Sequence, residues 1–160
     1  PWQFPEKLIP LVIMKALQNK NIPVYGDGKN IRDWLFVSDH IDGLILAITK
    51  GSIGEKYCIG GLSEIENIVV VEKICSLLDK LVPRNESYKK LITLVPDRPG
   101  HDRRYSIDPS KICNELKWEP SHNFVEGLED TVRWYINNIK WCEEIINKKN
   151  YNGERLGLKI

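Results

Sequence analysis

The stretch IPVYGDGKNIRDWLFVSDH at residues 22–40 carries the clearest secondary-structure pattern of the chain. Its first four residues suit a short strand, and Pro23 favours the edge of a sheet, because proline cannot donate a ladder hydrogen bond. The sequence GDGKN at 26–30 predicts a tight turn, and residues 31–37 then favour the return strand of a hairpin. Ser38 follows as the predicted N-cap of a helix.

Outward from this stretch, helical and strand patterns alternate. Helices that alternate with short strands, without internal repeats, indicate an α/β (mixed α+β) fold. We expect residues 1–148 to form a single domain and the polar residues 149–160 to form a C-terminal tail. Apolar spacing and capping residues predict a helix of roughly two to three turns that ends near Gln18. They also predict helices from Ser38 to about Lys50, from Asn67 to Val82, from Asp108 to before Trp118 and from Asn123 past Ile139, with strands over 56–59 and 91–95.

The composition is that of a globular domain. With 160 residues, 42% hydrophobic and 28% charged, the chain fits one folded unit and not a disordered segment. Lys plus Arg number 23 against 22 for Asp plus Glu, so the charge does not indicate a nucleic-acid partner. No apolar run approaches the roughly 20 residues of a membrane span. The four cysteines form no Cys-x-x-Cys pair, which favours reduced thiols in a cytoplasmic protein and no metal site.

The sequence DRPGHDRRY at residues 97–105 places three arginines and a histidine around a Pro-Gly turn after a predicted strand. Arginine at such a turn suits a bidentate grip on phosphate or carboxylate. The alternative for this motif is a solvated turn with local Asp–Arg pairs. For Arg32, in the predicted strand over 31–37, the alternative is an ion pair with Asp33. The candidate anion ligands are Arg32, Arg98 and His101, with Lys7 as a further candidate.

No other catalytic motif stands out. The glycines at 26–28 precede a predicted strand, and those at 60–61 lack a third glycine, so neither matches the fingerprint of a dinucleotide site. Tyr25 and Lys29 have the spacing of a tyrosine base and its lysine, but they straddle a turn instead of sharing a helix face. His122 precedes a predicted helix and is expected at the surface.

Four segments carry a resemblance to a known family. The sequence resembles the C-terminal half of dTDP-glucose 4,6-dehydratases, members of the extended short-chain dehydrogenase/reductase superfamily with a Rossmann-type fold, up to about Trp141. The Arg-Asp-Trp segment is shared more loosely with nucleotide-sugar epimerases and decarboxylases, whereas DRPGHDRRY is more specific to the dehydratases. The segments are PEKLIPLVI at 5–13, PVYGDGKNIRDWLFVSDH at 23–40, EKYCIGG at 55–61 and DRPGHDRRY at 97–105.

The resemblance implies a nucleotide-sugar site. Enzymes of this family oxidise C4 of dTDP-glucose with NAD, eliminate water across C5–C6 and return the hydride, which gives dTDP-4-keto-6-deoxyglucose on the way to sugars such as dTDP-rhamnose. By the resemblance, Lys7 and Leu8 line the pocket, Pro23, Val24 and Tyr25 form the strand against which the base lies, and Arg32, Asn67, Arg98 and His101 hold the diphosphate and nucleoside.

The resemblance also implies what this chain does not supply. In the family, the NAD-binding Rossmann half and the catalytic residues lie upstream of the position of Pro1, and the full-length enzyme is a homodimer. We therefore expect the chain alone to bind no NAD, to lack dehydratase activity, and to expose apolar side chains near Trp34, Leu35 and Phe36. Two alternatives stay open: the same region of a UDP-sugar epimerase or decarboxylase, and a non-catalytic interaction module.

Overall fold

The computed structural model describes residues 1–148, so the predicted tail at 149–160 lies outside the described residues. Helices and short strands alternate, which confirms the mixed α/β class. The elements are α1 (Leu8–Leu17), β1 (Ile22–Tyr25), β2 (Ile31–Asp33), α2 (Val37–Lys50), β3 (Glu64–Glu66), α3 (Asn67–Leu81), a 3₁₀ turn (Tyr88–Leu91), β4 (Ile92–Val95), α4 (Ser110–Leu116), α5 (Phe124–Asn137) and α6 (Ile139–Lys148).

The predicted hairpin is wrong, because β1 and β2 belong to different sheets. β1 pairs in parallel with β4, from Ile22 opposite Ile92 to Tyr25 opposite Val95. β2 instead pairs antiparallel with β3. In a hairpin, the two strands that flank the turn are hydrogen-bonded to each other. Here the first residue of the turn, Gly26, instead donates its N–H to the carbonyl of Val95, at the end of β4.

The core lies between α1, α3, α5 and β1. Helix α3 buries one face completely, and its buried residues follow the helical period that the sequence predicts. Each fully buried aliphatic side chain contributes about 1.5–3 kcal/mol by leaving water. This core therefore fixes β1 and the first turn of α3, which both lead to the candidate site. Its fully buried side chains include Val12, Ile13, Ile22, Val70, Val71, Ile74, Leu78, Val132 and Tyr135.

Helix boundaries differ from the predicted caps at two positions. α2 begins at Val37, and the Ser38 hydroxyl is buried without a hydrogen-bond partner among residues 1–148. α3 begins at Asn67 itself, and the Asn67 side chain caps nothing. Both side chains lie inside the first turn, one residue too late to reach the free N–H groups of their own helix. The predicted cap at Asn123 is confirmed, since its side chain accepts the Glu126 N–H at 3.0 Å.

The C-terminal helix and the third predicted strand also differ from expectation. The helix predicted to run past Ile139 divides at Asn138 into α5 and α6. Residues 56–59 form no strand, because no segment within residues 1–148 pairs with them. An apolar run forms a strand of a sheet only where a neighbouring strand supplies hydrogen-bond partners for its backbone N–H and C=O groups.

Helix α2 exposes its large apolar side chains instead of burying them. The residues that it buries are Asp39 and Gly43, whereas its large apolar side chains face outward. Trp34 to Phe36, where exposure was predicted, are only half exposed. We refer to the exposed side chains as the α2 apolar face; they are Val37, Ile41, Leu44, Ile45 and Ile48. None of the helices in the described range has the length and apolar character that crossing a membrane requires.

Candidate functional site

The turn at residues 26–30 fixes β1 relative to the start of α3. The carbonyl of Gly28 accepts a 2.9 Å hydrogen bond from the Ile68 N–H, and the carbonyl of Asn30 accepts one of 2.9 Å from the Asn67 N–H. Gly28 has a φ of +72°, and a Cβ there would lie 2.8 Å from the Ile68 Cβ. Only glycine combines this backbone conformation with so close an approach. The turn is thereby held against the N-terminal end of α3.

The loop at residues 97–105 docks against β2. The carbonyl of Ile31 accepts a 3.1 Å hydrogen bond from the Tyr105 N–H. The carbonyl of Asp102 accepts one of 3.0 Å from Nη2 of Arg32, across a separation of 70 residues in sequence. The two motifs that carry the predicted anion ligands are therefore neighbours in space.

Two of the arginines in this region are paired with carboxylates. Arg103 lies 2.8 Å from Asp27, and Arg104 lies 2.6 Å from Glu64. The hydrogen bond from Arg103 lowers the pKa of Asp27 to about 2, and that from Arg104 lowers the pKa of Glu64 to about 2. The chain itself therefore neutralises the charge of these two arginines, but with carboxylates 76 and 40 residues away in sequence and not with the local Asp partners of the solvated-turn alternative.

Arg32 forms no ion pair with a carboxylate among residues 1–148. Its guanidinium donates to the carbonyls of Ile31 at 2.7 Å and Asp102 at 3.0 Å, and its Cζ lies 4.3 Å from the centroid of the Tyr105 ring. The ion pair with Asp33 is not formed, since the Asp33 carboxylate accepts backbone N–H groups from the segment after residue 60. The positive charge of Arg32 therefore remains available to an external anion.

Arg98 is the second arginine without an ion pair. Its side chain forms no hydrogen bond or ion pair with residues 1–148, whereas its backbone N–H donates to Oδ1 of Asp97 at 2.8 Å and its carbonyl accepts the His101 N–H at 3.3 Å. The pKa of Tyr105 lies above its ordinary value, first because the Tyr105 hydroxyl donates to Asp102, while the charges of Arg32 and Arg98 both oppose that rise. Arg98 and Arg32 thus lie on two segments that meet where the loop at residues 97–105 docks against β2.

His101 is positioned by a carboxylate. Its Nδ1 lies 2.7 Å from Oδ1 of Asp97, and its side chain is only 6% exposed. Because an ionised carboxylate can only accept, Nδ1 carries the proton and Nε2 is the nitrogen left for another partner. The hydrogen bond from His101 lowers the pKa of Asp97. The ring of Tyr25, at the end of β1, meets the His101 ring edge-on at 6.0 Å.

Two asparagines add buried acceptors beside this cluster. Oδ1 of Asn67 and Oδ1 of Asn30 are buried and have no hydrogen-bond partner among the described residues. Buried acceptors of this kind are costly unless a ligand or water supplies a donor. Because Asn67 does not cap its helix, its side chain is available for such a donor. Sequence reasoning missed Asn30, whose only signal was its place between a turn and a strand.

The remaining predicted residues are less closely tied to the cluster. Lys7 pairs with Glu6 at 2.9 Å, and Leu8 packs against the core. Val24 is 2% exposed, so it can offer a ligand its backbone and not its side chain. Pro23 and Tyr25, on the opposite face of β1, are half exposed.

His122 is partly exposed, as the sequence predicted, but it also belongs to a hydrogen-bond network. Its Nδ1 lies 2.8 Å from Oδ1 of Asp39, and the Ser121 hydroxyl donates to the same oxygen at 2.7 Å. Burial alone raises the pKa of Asp39, but the hydrogen bonds from Ser121 and His122 outweigh it and the pKa lies below its ordinary value. This network ties α2 to the segment before α5, next to a small, open apolar pocket that Trp34 and Phe36 help to line.

Residues 1–148 do not fit NAD by themselves. The glycines at 26 and 28 lead into β2, and those at 60 and 61 follow residues that form no strand. A dinucleotide site requires a glycine-rich turn that leads from a strand into a helix, where the N–H groups receive the pyrophosphate. The described range contains no such unit.

Comparison with known proteins gives a consistent family. The model of the family described as GDP-mannose 4,6 dehydratase matches residues 1–131. A dTDP-glucose 4,6-dehydratase of Escherichia coli is 50% identical over 162 residues, which cover 97% of this chain and 45% of the relative. The chain thus spans less than half the length of the curated relatives it matches.

Solved structures agree with the sequence matches. The structure of dTDP-glucose 4,6-dehydratase from Bacillus anthracis in complex with NAD has a TM-score of 0.82 at 47% identity, with 91% of this chain and 44% of that chain covered. The enzyme from Streptomyces venezuelae with NAD and TYD bound has a TM-score of 0.80 at 42% identity, with 91% and 43% covered. The chain therefore belongs to the GDP-mannose 4,6-dehydratase family, in which it corresponds to a C-terminal part of dTDP-glucose 4,6-dehydratases.

Proposed function

We propose that this chain forms the nucleotide-sugar-binding wall of a dTDP-glucose 4,6-dehydratase, with residues 1–148 as one substrate-binding domain. The observation that carries the proposal is the division among the arginines of the site. Arg103 and Arg104 are paired with carboxylates, whereas neither Arg32 nor Arg98 forms an ion pair with the described residues. Two guanidinium groups without ion pairs, on a loop and on the strand against which it docks, suit a diphosphate.

The energetics favour such a ligand. Two like charges that are brought together without a counter-ion repel each other, and a bridging anion relieves that repulsion. Each charge-assisted hydrogen bond from Arg32 or Arg98 to a phosphate oxygen contributes about 1.5–3 kcal/mol. Nε2 of His101 and the amide of Asn67 complete the polar lining in this proposal. Pro23 and Tyr25 offer the exposed face of β1 to the base, and Lys7 and Leu8 lie at the start of α1.

The proposal assigns the remaining chemistry to a separate part of the enzyme. Hydride transfer with NAD and the elimination of water belong to an NAD-binding half, and we expect the 160-residue chain alone to yield no 4-keto product. The α2 apolar face is the surface on which that half packs, because a helix that buries an aspartate and exposes five large aliphatic side chains lacks its cover. A homodimeric, cytoplasmic enzyme completes this proposal.

Isothermal titration with dTDP tests the proposed site. We expect Arg32→Ala and Arg98→Ala each to weaken dTDP binding about tenfold or more, since each removes a charge-assisted bond. Arg103→Ala, which removes a guanidinium of the same loop that is already paired, is the matched control and should change the affinity less than about threefold.

UDP is the comparison ligand in the same titration. Loss of the thymine methyl from an apolar contact costs about 1 kcal/mol or more, so the proposal expects UDP to bind several-fold more weakly than dTDP. Tighter binding of UDP would favour a UDP-sugar epimerase or decarboxylase. Failure of dTDP, UDP and inorganic pyrophosphate to bind the wild-type protein would favour a non-catalytic interaction module instead.

A further inference from the structure

We propose that Tyr105 is a positioning residue of the nucleotide site, which orients the Arg32 guanidinium toward the diphosphate by stacking beneath it. This inference rests on the proposed function and names a residue that the family resemblance does not assign. It starts from the contrast between Arg32 and its paired neighbours. A guanidinium without a carboxylate partner needs another means of keeping one orientation.

The ring of Tyr105 provides that means. The Cζ of Arg32 lies 4.3 Å from the ring centroid, well within the range of a cation–π contact. With the ring on one side and the carbonyls of Ile31 and Asp102 accepting two of its N–H groups, the guanidinium plane is fixed. An arginine has five N–H donors, so three remain for phosphate oxygens.

Tyr105 is itself anchored at both ends. Its backbone N–H donates to the carbonyl of Ile31 at 3.1 Å, and its hydroxyl donates to the carboxylate of Asp102. Asp102 therefore serves both partners, because its carbonyl accepts from Arg32 and its carboxylate accepts from Tyr105. A side chain that is 51% exposed would otherwise be free to rotate.

The stacking also holds Arg32 without a carboxylate partner. The electron-rich ring face attracts the guanidinium but does not neutralise its charge, whereas a carboxylate would cancel that charge. The site therefore keeps Arg32 in place and leaves its charge available to the diphosphate.

A double-mutant cycle tests this role. Tyr105→Leu removes the ring, and we expect it to weaken dTDP binding about three- to fivefold, the size of an exposed cation–π contact. In the background of Arg32→Ala, the same substitution should have no further effect, because its action passes through Arg32. Tyr105→Phe keeps the stacking ring and should retain most of the affinity. Tyr57→Leu, which removes a ring stacked with Lys111 at another site, is the matched control and should leave binding unchanged.

NMR of the protein without ligand gives a second readout. The side-chain NεH signal of Arg32 should carry a ring-current shift that Tyr105→Leu removes, Tyr105→Phe largely retains and Tyr57→Leu leaves unchanged. An Arg32 signal that does not respond to Tyr105→Leu would overturn the inference, as would an equal loss of affinity in the wild-type and Arg32→Ala backgrounds. If Arg32→Ala weakens binding and Tyr105→Leu does not, only the role of Tyr105 fails. If Arg32→Ala binds dTDP like the wild type, the proposed function fails and takes this inference with it.

Discussion

Replacing Gly28 by alanine should destabilise the fold at the point where the site is assembled. The glycine has a φ of +72°, and a Cβ would lie 2.8 Å from the Ile68 Cβ and 2.9 Å from Cγ1 of Val24. The left-handed conformation costs an alanine about 1–2 kcal/mol. Overpacking two β-branched side chains adds about 1–3 kcal/mol, and the reduced entropy of the unfolded chain returns about 0.5 kcal/mol.

Together these terms predict that Gly28→Ala lowers the free energy of unfolding by about 1.5–4.5 kcal/mol. Gly54→Ala is the matched control, since Gly54 has a φ of +84° but no atom within 4 Å of an added Cβ. Gly54→Ala has the same conformational cost without the steric clash, so it should lower the free energy of unfolding by about 1 kcal/mol. Urea denaturation followed by tryptophan fluorescence measures both.

The same pair of variants connects stability with the site. Gly28 bonds to the first turn of α3, so Gly28→Ala should displace Asn67 and weaken dTDP binding under conditions in which the variant is still folded. Gly54→Ala should leave the affinity unchanged. Equal destabilisation by the two substitutions would refute the reasoning, because it would mean that the close approach between the turn and α3 carries no steric constraint.

Three further predictions concern other parts of the molecule. Asp39→Asn should cost about 1–3 kcal/mol of stability by weakening the bonds to Ser121 and His122. Because the folded pKa of Asp39 is lowered, its contribution is present above about pH 4 and is lost as the pH falls below that value; pH-dependent denaturation of both proteins should show this loss only in the wild type. Arg104→Ala should raise the pKa of Glu64 from about 2 towards its ordinary value, as measured by carboxyl ¹³C shifts. An unchanged pKa would show that the Arg104–Glu64 ion pair does not form in solution. Ile48→Glu, at a residue 82% exposed on the α2 apolar face, should reduce concentration-dependent association in analytical ultracentrifugation while leaving the unfolding midpoint within experimental error.

The sequence predicted correctly those helices and strands whose formation depends on neighbouring residues. β1, β4 and α3 appear near their expected positions, since β-prone runs and the helical period of α3 are properties of a few neighbouring residues. The cap at Asn123 followed the same logic. The hairpin failed because strand pairing is a choice among distant partners: Gly26 bonds to Val95, and the two are far apart in sequence.

The site itself was only partly predictable for the same reason. The motif at residues 97–105 identified an arginine-rich turn, but the sequence cannot tell which arginines are neutralised. Arg103 pairs with a carboxylate 76 residues away, and Arg104 with one 40 residues away, whereas Arg32 and Arg98 have no such partner among residues 1–148. Tyr105 stood in the motif without a role, because its stacking on Arg32 depends on how β2 meets the loop.

A crystal structure of the protein with dTDP would show directly whether Arg32 and Arg98 bind the diphosphate. We expect the guanidinium groups of both residues within hydrogen-bond distance of phosphate oxygens, with the diphosphate beside the Tyr105 ring and the base against β1. A diphosphate bound by Arg103 or Arg104, or located away from the loop at residues 97–105, would contradict this expectation.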